Sequence, residues 1–424
     1  MKYKVVLLWL LSLPTWVAQA QINVRLDLSA KLSFAKVRQQ MGDWSCTGKT
    51  INDQKEGTWI CKNAQGQVIV RSTWAKGRLN GPLLLYHANG QRREQVVFDQ
   101  GRPTGQLEAW YANGQPYLTV RFVEGKYQGA FTQWYAKGSK EITATFRAGQ
   151  LTDTLFNYYP NGQRQYAVPY RDGVPHGVAQ GWYADGTLAE TETYVNNVRD
   201  GLATKYRKDG TQESELTFRG GKPAGWFRLW NKQQKLVLEA VVKKGIQVKK
   251  ILYEYNKEGK LYQKTTYNQH GQKHGLREIW DKRGSYNVAP FENGKIEGEQ
   301  VIYYKEGGQA RVRRQYRQGL PHGPEVYYYT NGQKKSESQY KNGVENGLSM
   351  QWYKTGEKRL KCTVLNGKLH GLFTLWHKNG QKRLESYKIH GKTEGKRQTW
   401  DQNGKLIKEQ VYKDGKLLST KEYQ

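Results

Sequence analysis

Long apolar runs are almost absent from this 424-residue chain. The longest, "VVLLWLLSL" at residues 5–13, is too short for a helix that crosses a bilayer, so no transmembrane span is predicted. Lysines precede it and the small-residue site "AQA" follows, an arrangement typical of a secretory signal. We expect residues 1–20 to be a signal peptide, residues 21–44 an N-terminal cap segment, and the exported protein to be periplasmic, cell-surface or secreted.

Cysteine is scarce, with three residues in the whole chain. No CxxC pair and no Cys/His cluster indicates zinc, so no metal or cofactor is predicted. Cys46 and Cys61 lie in similar settings, "DWSCTG" and "TWICKN", and the stretch between them favours a hairpin closed by a disulfide in an oxidising compartment. Two buried thiols are the alternative. Cys362 takes the place of Ser338 and Ser386 in neighbouring repeats, which indicates a neutral strand position.

Catalytic motifs are missing too. The chain has no nucleophile elbow, P-loop, HExxH motif or paired carboxylates. The histidine of "YRDGVPHGVAQGWYADG", His176, recurs as His274, His322 and His370, but Ala224 stands at an equivalent place. A catalytic residue is not repeated in this way and then replaced by alanine. The sequence therefore predicts no catalytic residue and a protein that is not an enzyme.

What the chain has instead is a repeat, the first feature to look for in a long sequence. A turn glycine recurs every 24 residues, with two steps of 25 near the centre and Gln234 in place of one glycine. This gives about fifteen repeats over residues 45–424. The turn glycines are Gly66, Gly90, Gly114, Gly138, Gly162, Gly186, Gly210, Gly259, Gly284, Gly308, Gly332, Gly356, Gly380 and Gly404.

Each repeat contains two short strand-forming runs joined by Asn-Gly, Asp-Gly or a similar pair. Such a pair favours a two-residue hairpin turn with positive φ at both residues, and a looser loop follows the second run. Hairpins this short are stable only when stacked side by side. The predicted fold is therefore all-β, an elongated single-layer antiparallel sheet built from about fifteen 24-residue β-hairpin repeats, in the manner of a solenoid.

Aromatic residues keep step with the turn glycines. An aromatic residue four places before the turn predicts a structural ladder that holds adjacent hairpins together; exposure of part of it to sugars or lipid is the alternative. Its tryptophans are Trp110, Trp134, Trp182, Trp230, Trp280, Trp352, Trp376 and Trp400. The next residue is often tyrosine, expected on the opposite face and hence the better candidate for a ligand-facing surface: Tyr111, Tyr135, Tyr159, Tyr183, Tyr329 and Tyr353.

The pattern Tyr-x-x-Gly-x-x-His-Gly, an aromatic pair, then Asn-Gly, resembles the MORN repeat in the variant form of the bacterial YwqK-type antitoxin family. The resemblance covers nearly all of the chain after residue 44. It implies an elongated single-layer antiparallel sheet and a toxin as partner. Gln233–Gln234 replace one turn, Asn197 replaces a loop glycine, and "LTDTLF" and "IQVKKILY" lack the second glycine, so we expect irregular repeats at those places.

The net charge is strongly positive, +31 at pH 7. Residues 213–424 carry 42 Lys and Arg against 21 Asp and Glu, net +21, and residues 1–212 carry 26 against 16, net +10. Such a surface favours an anionic envelope component, lipid or glycan, or an acidic protein; lysines that keep sheet edges from pairing are the alternative reason. The charges form no long run, so nucleic acid is not predicted as a partner.

Together these features predict an exported, non-enzymatic repeat protein that provides a binding or scaffold surface in the cell envelope or exterior. The alternative, implied by the resemblance, is an antitoxin- or immunity-like protein that sequesters a toxin partner.

Overall fold

A computed structural model describes residues 44–424. These residues form strands and turns, and no helix occurs among them. They divide into two compact units. The first ends at Lys235, and the second begins at Leu236. The predicted signal peptide lies outside the described residues, and so does the predicted cap segment apart from Trp44, which begins the first strand.

The first unit contains seventeen strands: β1 (Trp44–Ile51), β2 (Gln54–Asn63), β3 (Val68–Ala75), β4 (Arg78–Tyr86), β5 (Arg92–Asp99), β6 (Arg102–Trp110), β7 (Pro116–Val123), β8 (Lys126–Trp134), β9 (Lys140–Arg147), β10 (Gln150–Tyr158), β11 (Arg164–Arg171), β12 (Val174–Pro175), β13 (Gly177–Trp182), β14 (Leu188–Val195), β15 (Val198–Tyr206), β16 (Gln212–Arg219) and β17 (Lys222–Trp230).

The second unit contains nineteen strands: β18 (Leu236–Lys243), β19 (Ile246–Tyr255), β20 (Leu261–Asn268), β21 (Lys273–Trp280), β22 (Tyr286–Glu292), β23 (Lys295–Ile296), β24 (Gly298–Tyr303), β25 (Ala310–Arg317), β26 (Leu320–Tyr328), β27 (Lys334–Lys341), β28 (Val344–Glu345), β29 (Gly347–Trp352), β30 (Lys358–Leu365), β31 (Lys368–Leu369), β32 (Gly371–Trp376), β33 (Lys382–Ile389), β34 (Lys392–Trp400), β35 (Leu406–Lys413) and β36 (Lys416–Glu422).

Within each unit the strands pair antiparallel with strands that follow closely in the chain, for example β6 with β5 and β7 and β33 with β32 and β34. Strand β7 shows why these runs are extended: Leu118, Val120 and Phe122 alternate with Thr119 and Arg121, the period of a strand with two different faces. Residues 44–424 place no second sheet on either unit. The predicted all-β fold of antiparallel hairpin repeats is confirmed.

The Asn-Gly turn differs from the two-residue turn expected from the sequence. The amide of Gly114 donates to the carbonyl of Tyr111 (2.9 Å), and the amide of Tyr111 donates to the carbonyl of Gln115 (2.9 Å). Of these turn residues Gly114 alone has positive φ, +82°. The loop therefore has three residues, a type I turn followed by a left-handed glycine. Asn113 has negative φ, and its side-chain oxygen accepts the amide of Gln115 (3.1 Å), a bond that supports the turn.

The two-residue turn occurs in the other loop, which the sequence suggested was longer. Asp172 and Gly173 both have positive φ, 51° and 81°, and Arg171 pairs directly with Val174. Two consecutive positive φ values define the type I′ hairpin turn. We call this the outer turn and the three-residue Asn-Gly loop the inner turn.

A wide bulge bends the second strand of a typical repeat. In β6, Thr104 pairs with Val97 of β5, but pairing with β5 resumes only at Glu108. Gly105, with φ +70°, begins the part of β6 that pairs with β7. The start of β6 thus pairs with the preceding strand only, and its end pairs with both neighbouring strands. Each repeat is therefore completed by the next one along the chain.

The core of the first unit lies on one face of its sheet. Leu107 is paired with Val120, and Val120 with Phe131, and all three are buried. Burying a side chain of this size contributes about 1.5–3 kcal/mol. The buried side chains of the second unit are more polar, for example Ser349, whose hydroxyl lies 3.1 Å from that of the half-buried Ser338. Polar groups in such positions stay stable when each has a partner.

Two substitutions that predicted irregular repeats leave the turns intact. Gln234 has φ +57°, and its amide donates to the carbonyl of Asn231 (3.0 Å), as the turn glycine does elsewhere. Asn197, with φ +67°, occupies the outer turn after Asn196. Glutamine and asparagine therefore adopt the left-handed conformation here, at a steric cost that glycine avoids. By contrast, β19 contains "IQVKKILY" and pairs with β18 almost without interruption.

The first hairpin carries the two predicted disulfide cysteines. Cys46 of β1 and Cys61 of β2 are directly opposite each other, with a Cα–Cα distance of 4.0 Å, and their sulfur atoms are bonded at 2.08 Å. Cys362 is a buried free thiol, and it pairs with Ser349 on the neighbouring strand.

Candidate binding surface

The predicted ligand-facing tyrosines begin the inner turns, and their hydroxyl groups reach the next repeat. Tyr111 donates to the carbonyl oxygen of Trp134 (2.7 Å), 23 residues later. The same bond joins Tyr135 to Tyr158 (2.8 Å) and Tyr159 to Trp182 (2.9 Å). Burial is the main reason why the pKa of each of these three tyrosines is raised. Their hydroxyl groups therefore stabilise the array.

The other three tyrosines follow the same rule. Tyr183 donates to the carbonyl of Tyr206 (2.8 Å) in the first unit. Tyr329 donates to Trp352 and Tyr353 to Trp376 (2.9 Å each) in the second. A ligand-facing role for these residues stays a prediction.

The aromatic ladder supplies the acceptors of these bonds, which are tryptophan carbonyls in four cases and the carbonyls of Tyr158 and Tyr206 in the other two. Its eight tryptophans are the last residues of β6, β8, β13, β17, β21, β29, β32 and β34, and all are half-buried. The most deeply buried side chains, such as Val120 and Phe131, lie elsewhere. In the second unit lysine ammonium groups lie over two ladder rings, Lys334 over Trp352 (5.9 Å to the ring centroid) and Lys382 over Trp400 (5.7 Å).

Sequence reasoning missed this row of bonds, although a signal was present. Where tyrosine is absent, other donors take its place: His87 contacts the carbonyl of Trp110 (2.9 Å), His377 that of Trp400 (3.1 Å), and Arg207 that of Trp230. Tyrosine, histidine and arginine share the ability to donate a hydrogen bond from the end of a long side chain.

The asparagine of the inner turn adds a second contact between repeats. Asn113 donates from its amide to the carbonyl of Ala136 (3.0 Å), and Asn331 donates to Lys354 (3.0 Å). Asn379 makes the same bond to Gln402 (2.7 Å). The inner turns of successive repeats are thus tied together twice, by the side chains of the tyrosine position and of the asparagine.

His176 has a structural contact of its own. Its Nδ1 lies 3.2 Å from the side-chain oxygen of Asn196 in the next outer turn. At the equivalent place Gln128 accepts the amide of Ala148 (2.9 Å). The backbone amide of an outer turn is thus capped by the repeat before it. Many polar side chains can do this, which explains why the position varies.

A buried acidic cluster occurs in β14 of the first unit. Glu190 is 8% exposed, and burial, then the nearby Glu192, raises its pKa to about 7 against the opposing effect of Lys205 and Arg199. Glu192 accepts the hydroxyl of Tyr194 (2.5 Å). The cavity beside these carboxylates is about 10 Å³, room for one water molecule and no substrate.

One face of the second unit can be followed strand by strand through direct pairing. This outer face carries a row of consecutive partners: Glu278, Val288, Val301, Arg313, Val326, Glu337, Met350, Lys361, Thr374, Glu385, Gln398 and Glu409. Its carboxylates are ion-paired, as Glu278 is with Lys264 (3.0 Å) and Glu385 with Lys382 (2.8 Å). The row is therefore close to neutral.

Two residues further toward the outer turns, the same face carries exposed apolar side chains. Leu348 is 42% exposed, Leu372 53% and Tyr387 46%, and Pro324 is exposed on the same row. We call these four residues the apolar stripe. Two open grooves lie along this row. One of about 690 Å³ is beside Leu276, and one of about 450 Å³ is beside Leu372 and Tyr387.

Basic residues border the apolar stripe. The outer turns of the same repeats carry exposed Arg317, Lys341, Lys368 and Lys392. We call these four the basic rim. Among residues 44–424, none of them is ion-paired, whereas the carboxylates of the neighbouring row are. This surface therefore presents a net positive charge beside apolar side chains.

Other kinds of site are not found in the described part of the chain. No group of three or more His, Cys, Asp and Glu side chains within residues 44–424 is placed to hold a metal ion. Over the same residues, no helix has the length and hydrophobicity needed to cross a membrane.

Comparison with known proteins identifies the repeat. Residues 175–196, 321–342 and 393–414 match the MORN repeat variant. The first segment contains His176 and ends at Asn196 of the outer turn, whose side chains are in contact. The repeat part of the predicted resemblance is confirmed, and the antitoxin family stays a prediction. The matching segments indicate a binding or scaffold protein built from repeats.

No curated protein matches the chain. Among solved structures it is similar to a chain of the TcdB2-TccC3 crystal structure, with 12% identity, a TM-score of 0.17, and coverage of 84% of this chain and 25% of that one. For TcdB2-TccC3-Cdc42 the identity is 9%, the TM-score 0.13 and the coverage 87% and 29%. The chain thus spans between a quarter and a third of these proteins. Likeness at such TM-scores carries no argument about function.

Proposed function

We propose that this chain is an exported, non-enzymatic repeat protein that binds an anionic partner in the cell envelope or exterior, as a scaffold with many equivalent contact points. Export is motivated by the signal-like residues 1–20, and the anionic partner by the net charge of +31. The absence of catalytic motifs from the sequence motivates the non-enzymatic role.

The observation that carries the proposal is the bonding between repeats. Tyr353 ties one inner turn to the next strand end, and Gln128 caps the next outer turn. Because such bonds recur along each unit, they hold the exposed side chains at regular intervals. Many weak contacts with one extended partner then act together, so the overall affinity far exceeds that of one repeat.

Basic residues at the inner turns supply such contacts. Lys335, Arg359 and Arg383 occupy the same position in three successive repeats, three places after the turn glycine, and all are exposed. Neighbouring strands of a sheet are about 4.8 Å apart, so equivalent residues in successive repeats stand roughly 10 Å apart. This spacing exceeds the Debye length of about 8 Å at physiological salt, so each charge meets the partner almost independently.

The test is retention of the whole protein on a heparin-like resin and on anionic vesicles as the salt concentration rises. We expect K335Q/R359Q/R383Q to elute at lower salt than the wild type, and the charge-preserving K335R/R359K/R383K to elute with the wild type. Retention that ignores salt, or equal elution of the neutralised variant, would contradict the proposal. N-terminal sequencing of the protein from its host checks export: the chain is expected to begin at Gln21.

Sequestration of a toxin is the alternative that the family resemblance implies. Export is compatible with neutralising a toxin in the envelope. Co-purification of one protein at fixed stoichiometry, in salt that releases the anionic supports, would favour this alternative.

A further inference from the structure

We propose that the apolar stripe and the basic rim of the second unit together form a docking site for an acidic amphipathic helix of a protein partner. The inference deepens the proposed function, since it rests on a binding role and names one surface and the chemistry of its partner. It concerns the outer face between β26 and β33 and their outer turns.

The strand pairing of the stripe residues does not explain why they are apolar. Leu348 pairs with Thr363 and Leu372 with Tyr387, all on one face, and Leu348, Leu372 and Tyr387 are 42–53% exposed. A polar residue at these places would pair equally well in an antiparallel sheet. Lys396 occupies the equivalent position one repeat after Leu372. Along this row the stripe residues alternate with the polar Gln339 and Thr363 up to Leu372. Exposed apolar side chains that recur at one place in successive repeats mark a site of contact.

The spacing of the stripe fits a helix laid across the strands. Neighbouring strands are about 4.8 Å apart, so stripe residues on every second strand are roughly 9.6 Å apart. One heptad of an α-helix rises about 10.5 Å, and residues three or four apart rise about 4.5–6 Å. The first position of each heptad therefore meets a stripe residue on every second strand, and the fourth position meets the intervening strand, which carries Gln339 or Thr363. Pro324, Leu348, Leu372 and Tyr387 extend over six strand positions, from β26 to β33, because the short β28 and β31 share their positions with β29 and β32. The span is roughly 24 Å, enough for a helix of about two heptads.

Charge selects an acidic helix. The carboxylates near the stripe are already engaged: Glu337 with Lys334 (2.7 Å), Glu385 with Lys382 (2.8 Å), and Glu394 with the amide of Asp414 (2.7 Å). Lys341 and Lys368 of the rim are exposed and are not ion-paired within residues 44–424. A helix with glutamates beside its apolar positions places a carboxylate opposite each rim residue. Such rim contacts raise association rates and suppress basic competitors.

The other occupant to consider is the segment 21–43 of the same chain. It carries four basic residues, Arg25, Lys31, Lys36 and Arg38, against Asp27 and Asp43. Its net positive charge is the same sign as that of the rim. Charge therefore disfavours this segment as the occupant, and the experiment includes it as a competitor.

The probe is a synthetic peptide of three heptads with leucine at the first and fourth positions and glutamate at the flanking positions. One control peptide has lysine in place of glutamate, and another has the leucines distributed around the helix. Anisotropy of a fluorescent label on each peptide measures binding to the full chain. We expect saturable binding of the acidic amphipathic peptide and no saturable binding of either control peptide.

Variants of the full chain locate the site. L348N/L372N and K341E/K368E are each expected to weaken binding of the acidic peptide by about tenfold or more, the loss typical of central contact residues. L418N is the matched control, because Leu418 is 63% exposed and lies on the last strand. All substituted residues are exposed, so thermal midpoints should agree with the wild type.

Equal affinity of L348N/L372N and wild type would overturn the site. Equal binding of the lysine peptide, or tighter binding of a peptide with the sequence of residues 21–43, would overturn the acidic partner. These outcomes are separate from failure of the proposed function. The resin assay compares variants of inner-turn charges, whereas L348N/L372N in the peptide assay changes no charge.

Discussion

The hydroxyl group of Tyr353 donates a hydrogen bond to the backbone carbonyl of Trp376, 23 residues later, at 2.9 Å. The tyrosine begins one inner turn, and the tryptophan ends the corresponding strand of the next repeat. One side chain therefore sets the position of the neighbouring hairpin.

Replacing Tyr353 with phenylalanine should lower the free energy of unfolding by about 1 kcal/mol, because the ring stays and one hydrogen bond is lost. The denaturant midpoint measures the effect. Tyr387→Phe is the control, since that ring is 46% exposed on the outer face. Equal shifts in the two variants would show that the hydroxyl bond adds nothing to stability.

Gly210→Ala should destabilise by about 1–2 kcal/mol through backbone strain alone. Gly210 has φ +79°, and a Cβ atom there would meet no atom within 4 Å. Gly210→Asn should cost less, because asparagine tolerates the left-handed conformation. Chemical denaturation of the two variants side by side tests the ranking. If alanine proved as stable as asparagine, φ would not be the constraint at this turn.

The stability difference between Glu190→Gln and wild type should depend on pH. Folding raises the pKa of Glu190 to about 7, so the folded state holds this proton more tightly than the unfolded state. The carboxyl therefore costs no stability below about pH 4, and the cost grows as pH rises to about 7. Glutamine removes it, so the variant should gain roughly 3 kcal/mol relative to wild type between pH 4 and pH 8.

Urea unfolding at several pH values checks this expectation. Glu258→Gln is the control, because the side chain of Glu258 is 72% exposed. A constant difference between Glu190→Gln and wild type across the pH range would mean that Glu190 titrates normally.

Reduction of the Cys46–Cys61 disulfide should destabilise the first hairpin. The bond spans 15 residues of sequence, and closing a loop of that length stabilises a fold by about 3 kcal/mol. Mass mapping without reductant should find the linked peptides in the exported protein, and hydrogen exchange should show faster opening of β1 and β2 after reduction. Two free thiols in exported protein would contradict the assignment.

Breaking the ion pair between Arg314 and Glu325 should cost more than replacing both partners. Glu325 is buried, and Arg314 also contacts the hydroxyl groups of Tyr316 (3.1 Å) and Tyr327 (3.3 Å). Arg314→Met leaves the carboxylate of Glu325 buried without its cation, a loss of about 3–5 kcal/mol. Arg314→Met/Glu325→Leu should lose less. A double-mutant cycle in urea measures both, and an additive result would argue against coupling.

Much of the fold could be predicted because residues such as Gly114 and Trp110 recur at a regular spacing, which indicates the repeat. The geometry of the turns could not, since Asn-Gly fits both a two-residue turn and the end of a three-residue loop. The choice depends on whether Tyr111 pairs with Gln115, which is a matter of register. The outer turn was predicted wrongly for a related reason. Its first left-handed position is occupied by residues as different as Gln100 and Asp172, so no single residue type there indicates a two-residue turn.

The candidate surface was harder to predict. The tyrosine position is periodic, but the partner of Tyr111 is a backbone carbonyl in the next repeat, and backbone acceptors leave no trace in composition. The apolar stripe was missed for a different reason. Alternation counted back from Trp352 gives the face on which Leu348 lies, but it does not show whether other side chains cover that face.

The bend at Gly105, repeated along the chain, has a consequence for how the array changes length in evolution. Because each repeat is finished by its successor, removal of one whole 24-residue period would bring equivalent donors and acceptors together again, and the sheet would close over the gap. Removal of a different number of residues would leave Tyr and Asn donors facing the wrong carbonyls. Length in this protein is thus expected to vary in whole repeats, so that related chains would differ in reach while keeping the same surface chemistry.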